Sequence, residues 1–277
     1  MAKSNAVAVS ATNTAVTTAS DYLGFEAFAN EGLESVSASD LSIPYLRILA
    51  ALSPQVNKRD GAYVTGAEAG MIYNTVENTV YNGEDGVKII PCYYRRVYVE
   101  WKPREKGGGF VSTYGVNDPI VNTTYRNDGG KDVLPNGNIL ENTAEFYVLM
   151  LTPDGSVKRC LITMTASQLK KARKWLTQMQ TNTAKGKNGN MFVMPMMSTL
   201  YNLSTVEERN DKGSWFGWEV AKGRTLNLGE DDDKSIFEMA VAFGASVKAG
   251  EVKVKQEADD AASGSTSSRA SDDDIPF

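Results

Sequence analysis

The chain has no histidine at all and only two cysteines in 277 residues. Without histidine, the Ser-His and Cys-His nucleophile pairs and most zinc sites are excluded. Cys92 and Cys160 stand alone, each in a run that reads as a strand. They offer neither a disulfide framework nor a metal-ligand spacing and are expected to be reduced, packed thiols. No run of about 18 apolar residues occurs, so no membrane span is expected. The N-terminal residues are too sparsely apolar for a signal-peptide core. No G-x-x-x-x-G-K-[ST] pattern is present, and no motif arranges carboxylates for catalysis. The expectation is a protein of a reducing cytoplasm that is not an enzyme, needs no cofactor or metal, and does not engage a membrane.

Composition divides what remains into three parts. Residues 1–20 are rich in Ala, Ser, Thr and Asn and read as an unfolded leader. Residues 21–248 carry nearly all the aromatics and form the body. Residues 249–277 are poor in apolar side chains and rich in Ser, Ala and Asp. Such a segment cannot offset its ordering entropy and reads as a flexible tail.

The body reads mainly as strands. The stretch VKIIPCYYRRVYVEW (87–101) is long, β-branched and aromatic. GGG (107–109) is a turn, and FVSTYG is the returning strand. EFYVLML and SVKRCLITM flank TPDG as one hairpin; STLYNLSTVEE and SWFGWEV flank RNDKG as another. Two helices are expected. The first is TASQLKKARKWLTQMQ, where Thr165 and Gln168 form a capping box and Leu169, Ala172, Leu176 and Met179 make an apolar stripe. The second is DDDKSIFEMAVAFGASV, with acids at its N-terminus where the helix dipole favours them. The fold class is therefore mainly β with a few helices, an elaborated OB-fold-like barrel.

The net charge is −5, which alone argues against nucleic acid, but its distribution argues the other way. From Glu251 on, the tail holds seven acids against three bases, leaving the rest of the chain close to neutral. Residues 155–206 contain eight Lys or Arg and no Asp or Glu, and residues 88–106 contain six bases and two acids. A near-neutral body with segregated cations steers anions locally.

In residues 88–106 charge is interleaved with aromatics. Strand alternation puts Ile89, Tyr93, Val97, Val99 and Trp101 on one face, broken by Arg95. It puts Lys88, Cys92, Tyr94, Arg96, Tyr98 and Lys102 on the other, with Glu100 among them. Single-stranded nucleic acid wants that pairing: aromatic planes stack bases at roughly 1–3 kcal/mol each, and cations hold phosphates. A solvated sheet face with ordinary cross-strand packing has the same pattern. KPREKGGG would follow as a mobile basic loop. The first candidates for DNA contact are Tyr94, Arg96, Tyr98 and Lys102, followed by Trp101, Arg104, Lys106, Tyr114, Lys171, Lys174 and Trp215. Trp175, at the edge of the helical stripe, reads as packing. Phe216, Trp218 and Val220 read as core, with Trp215 facing the other way, and MFVMPMM (191–197) reads as core or interface.

The last six residues, DDDIPF, resemble the C-terminal tip of bacterial single-stranded-DNA-binding proteins residue for residue. In that family the tip docks its Phe and Pro into basic, hydrophobic pockets on replication, recombination and repair proteins. The resemblance implies the same partner-binding role for Asp272, Asp273, Asp274, Ile275, Pro276 and Phe277. Physically, three acids and two apolar side chains suit a small apolar pocket rimmed by cations, and Pro276 limits the entropy lost on docking. About 20 linker residues span roughly 25 Å root-mean-square, enough for the acidic tail to visit a basic groove when DNA is absent. In the body, DLSIPYLRILAALSPQV (40–56), VKIIPCYYRRVYVEWKPRE (87–105) and GSWFGWEV (213–220) resemble phage-encoded single-stranded-DNA-binding proteins. That implies an OB-fold-based body binding single-stranded DNA without sequence preference. The alternatives are an annealing or recombination-mediator protein, and an adaptor or decoy that has the tip but no DNA site. A homo-oligomer stays open.

Overall fold

The computed structural model describes residues 24–252 except 30, 37–39 and 212. The 272–277 tip, the 1–20 leader and most of the tail lie outside the described residues.

The chain is mainly β with two helices, and its principal sheet curls into a half-barrel. Three short strands come first, β1 (Leu46–Ile48), β2 (Ile72–Asn74) and β3 (Thr79–Tyr81), forming a small antiparallel sheet. β4 is the long strand expected over Val87–Trp101, and it returns through β5 (Phe110–Gly115). Two short strands, β6 (Tyr125–Arg126) and β7 (Asp132–Val133), lead to β8 (Ile139–Leu151) and β9 (Val157–Thr165). Helix α1 (Gln168–Gln180) follows, then the small hairpin β10 (Thr183–Lys185) and β11 (Met191–Val193). β12 (Thr199–Asn210), β13 (Gly213–Thr225) and helix α2 (Asp231–Lys248) complete the body. Both expected long hairpins, β8–β9 and β12–β13, are present in register.

β4 is the hub of the sheet. Along one side it pairs with β8 over nearly its whole length; along the other it pairs with β12 at its start and β5 at its end. β9 lies on the far side of β8, and β13 on the far side of β12. No ladder joins β9 to β13 among the described residues. α1 lies between them and touches both.

The inner face packs on α1. Trp175, 1% exposed, stacks on Phe146 at 4.4 Å between ring centroids and meets Tyr201 edge-on at 5.5 Å. Leu169, Ala172 and Met179 are buried with it, while Leu176 is half-buried. Trp175 is thus packing, as its place beside the stripe suggested. Cys160 is buried in this same cluster. The outer face packs on α2, where Ala240, Phe243 and Val247 cover Ile90, Cys92, Tyr147, Leu149 and Leu161. Both thiols are free, and burial pushes each up to about 12, which keeps them inert.

Two local expectations are corrected. The capping box does not form. Thr165 still belongs to β9, Ala166 turns the chain with φ 47°, and Ser167 is the N-cap with no side-chain cap bond. Gln168 spends its amide on β13 instead, accepting from the Trp218 backbone N–H at 2.9 Å. The strict alternation of β4 also fails. A bulge between Pro91 and Tyr93 puts Cys92 on the outer face and Ile89 on the inner face. Lys88, opposite Leu151, faces outward, away from Tyr94, Arg96 and Tyr98. Pro91 has no N–H for the ladder, and such a residue favours a bulge. α2 comes close at that point: a Cβ on Gly244 would sit 2.5 Å from the Cys92 carbonyl oxygen.

Candidate nucleic-acid interface

Beyond the reach of α1, β5, β4 and β8 continue as a three-stranded ribbon. Register places Tyr98 opposite Tyr114 on one side and Asn142 on the other, Arg96 opposite Ala144, and Tyr94 opposite Phe146. Paired residues share a face, so Tyr94, Arg96, Tyr98 and Tyr114 are brought together. Tyr94 is anchored at the core end, 5.0 Å from Phe146 between centroids. Arg96 is exposed, and its Nε donates to Asn142 Oδ1 at 2.8 Å. No carboxylate pairs with Arg96 among the described residues. Tyr98 and Tyr114 are half-buried.

Glu100, on the same face, is removed from it by burial: it is 2% exposed. Its carboxylate accepts from Tyr114 Oη at 2.6 Å, Asn138 Nδ2 at 2.6 Å and Asn136 Nδ2 at 3.0 Å. Burial pushes the Glu100 carboxyl up, but the three hydrogen bonds together outweigh it and hold the group below its ordinary value. The bond to Glu100 in turn raises the Tyr114 phenol above its ordinary value. Three neutral donors therefore hold an ionised carboxylate beneath the ribbon and tie β5 and the β7–β8 turn to β4. The sequence reading missed this cluster. Its only signal was an acid at an even position of an otherwise basic and aromatic strand.

Arg95, the expected break in the apolar face, is explained by a second hidden carboxylate. Its Nε lies 2.5 Å from Oε2 of Glu145, which is fully buried and also accepts from Tyr147 Oη at 3.1 Å.

The other candidates fall elsewhere. Trp101 lies on the opposite ribbon face, edge-on to Phe110 at 5.9 Å, with its indole N–H buried and without a partner among the described residues. Lys102, Arg104 and Lys106 are exposed in the β4–β5 turn, where Gly107, Gly108 and Gly109 all have positive φ. Lys106 Nζ reaches the Asn136 carbonyl at 3.5 Å, and Arg104 is also engaged within the protein. The loop at the ribbon's tip is therefore basic, and in this conformation it is folded back on the β7–β8 turn.

Lys171 on α1 and Trp215 on β13 meet away from the ribbon at Glu208, which the basic count of 155–206 narrowly omits. Glu208 forms an ion pair with Lys171 and accepts from Trp215 Nε1 at 2.8 Å. Lys174 is exposed and lines a cavity of about 100 Å³ between α1 and β13, with Gln178, Trp218 and Glu219. Trp218 is buried and Phe216 and Val220 half-buried on one face of β13, with Trp215 on the other, as expected. MFVMPMM splits: Met191, Phe192 and Val193 are exposed, while Met196 and Met197 pack on the two core clusters. Among the described residues no group of three or more carboxylate or thiol side chains is placed to hold a metal ion, and no helix is long and apolar enough to cross a membrane.

These features define a curled β body with an aromatic, cationic ribbon on its rim. The family described as Pam3 phage gp34-like protein matches residues 11–253, and the chain belongs to that phage protein family. No curated protein and no solved structure matches.

Proposed function

We propose that the protein binds single-stranded DNA without sequence preference, through the inner face of the β5–β4–β8 ribbon. The observation that carries the reading is the grouping of Tyr94, Arg96, Tyr98 and Tyr114 on one face, where the acid of that face of β4, Glu100, is buried and held by its own donors. The phenol rings serve as stacking platforms, Arg96 holds phosphate, and the Lys102–Lys106 turn swings onto the strand from the ribbon's tip. The family membership supports a phage protein; in this reading its role is to protect DNA during replication or recombination.

The strand order supports an OB-fold reading. β4, β8 and β9 act as the first three strands, α1 fills the gap, and β12 and β13 are the last two, in a partly open barrel. OB-folds bind oligonucleotides on the face of their second and third strands and with the loops after strands one and four. Here that face is covered by α2, whose Phe243 and Val247 pack on Tyr147, Leu149 and Leu161. The long loop after the first strand, which contains β5, β6 and β7, takes over the contact. In this reading the Asp272–Phe277 tip recruits replication, recombination or repair proteins.

The test is fluorescence anisotropy with labelled oligo-dT and a duplex of equal length. Preferential binding of oligo-dT, weakening steeply with salt, is expected. Equal affinity for duplex, or no binding at low salt, sinks the reading. An annealing assay with complementary strands distinguishes a simple binder from an annealing protein.

A further inference from the structure

A second feature lies outside the ribbon. The β10–β11 hairpin exposes three consecutive apolar residues, Met191 (63% exposed), Phe192 (47%) and Val193 (53%). Exposed patches of this kind mark interaction sites. Its only charged residues are Lys185 and Lys187, both exposed, and no acid occurs anywhere in residues 155–206. Phe192 stands opposite Ala184, and a Cβ on Gly186 would lie 3.6 Å from its ring. Small neighbours line one side of the ring and leave it open to a flat partner.

The hairpin is firmly rooted. Met194 N–H donates to the Asn182 carbonyl at 2.8 Å, and Lys222 Nζ donates to Asn182 Oδ1 at 2.9 Å. Lys222 lies on β13, two residues past Val220, which lines the α1–β13 cleft together with Lys174. Lys174 and Lys222 thus lead from α1 to the hairpin's root and Lys187 sits towards its tip, while Lys185, paired with Met191, lies on the hairpin face opposite Phe192. Glu219 is the one acid lining the cleft.

We infer that this hairpin, with Phe192 and the lysines at its root and tip, is a second contact site for single-stranded nucleic acid. The inference rests on the DNA-binding reading above and adds a site on the other side of α1. Cations on the approach to the hairpin suit phosphates, and a ring with an open face suits a base. A second copy of this chain fits less well, since a two-fold contact would set lysine against lysine.

The experiment titrates labelled dT30 across a salt series with wild type, Phe192→Ala, Lys185→Ala/Lys187→Ala and Arg96→Ala/Tyr98→Ala. All changed side chains are exposed or half-buried, and thermal melts check that each variant folds. Phe192→Ala is expected to weaken dT30 binding roughly tenfold with the salt slope unchanged, as loss of one stacked base would. The double lysine variant is expected to flatten the log–log salt slope by about 1.4, the share of two phosphates. If both hairpin variants bind dT30 like wild type while Arg96→Ala/Tyr98→Ala is weakened, the inference is overturned and the ribbon reading stands. If wild type does not bind dT30, the ribbon reading fails and takes the inference with it. A labelled peptide of residues 268–277, and the oligomeric state by light scattering, complete the set. Loss of peptide capture or of an oligomer in the hairpin variants, with dT30 binding intact, assigns the hairpin to a protein partner and overturns the inference.

Discussion

The two ends of β4 teach different lessons. From Val87 to Tyr94 the strand is sandwiched between α1 and α2, and its side chains are chosen for fit: Ile89 and Ile90 are fully buried on opposite faces, and Gly244 leaves room for the bulge at Cys92. From Arg96 to Trp101 the inner face has lost its helix, and polar bonds replace packing. Arg96 leans on Asn142, and Tyr114 is held by Glu100. The first end makes the fold; the second presents a surface.

That contrast is open to attack by substitution. The largest effect is expected at the packed end. Trp175→Ala removes the ring between Phe146 and Tyr201 and should cost about 3–5 kcal/mol in a denaturant melt. Gly244→Ala forces a methyl against the Cys92 carbonyl and should cost about 1–3 kcal/mol. Neither should change the salt slope of DNA binding by protein that remains folded; a changed slope would blur the division of labour. At the ribbon end the pattern should invert. Arg96→Ala/Tyr98→Ala should lower oligo-dT affinity by tenfold or more while moving stability by only about 0.5 kcal/mol, the usual range for surface changes. A large loss of stability there would make these side chains structural.

Glu100 links the two behaviours, and pH probes it. Its carboxyl is lower in the folded protein than in the unfolded chain. Its contribution is therefore complete above the ordinary glutamate range and fades as pH falls through the folded value. Glu100→Gln should weaken DNA binding less than Arg96→Ala/Tyr98→Ala does, by loosening Tyr114, and should remove part of the acid sensitivity of the melt. An unchanged pH profile in Glu100→Gln would show that the carboxylate does not hold the ribbon.

Much of this fold was legible because its signals are local. β4 begins and ends where its β-branched, aromatic run does, the TPDG turn sits between β8 and β9, and the ladder of β12 and β13 runs into the expected RNDKG segment, pairing Arg209 with Ser214 and Asn210 with Gly213. What could not be read is what depends on distant partners. The α1 start was misread because Gln168 bonds to Trp218 rather than to its own helix end. Lys88 and Cys92 were put on the wrong face because one bulged residue reverses every side chain before it. The basic segment 155–206 looked unopposed because Glu208, which pairs with Lys171, lies two residues beyond it. The ribbon residues, in contrast, were legible as a group, since Tyr94, Arg96, Tyr98 and Tyr114 all lie between the β4–β8 bulge at Cys92 and the β4–β5 register shift after Glu100.

The most direct test is tryptophan quenching by oligo-dT across a salt series, comparing wild type with Arg96→Ala/Tyr98→Ala. A ribbon that carries the DNA gives saturable quenching in wild type that weakens linearly on a log–log salt plot, and a variant that folds normally but binds at least tenfold more weakly. Equal titrations of the two proteins would contradict the account.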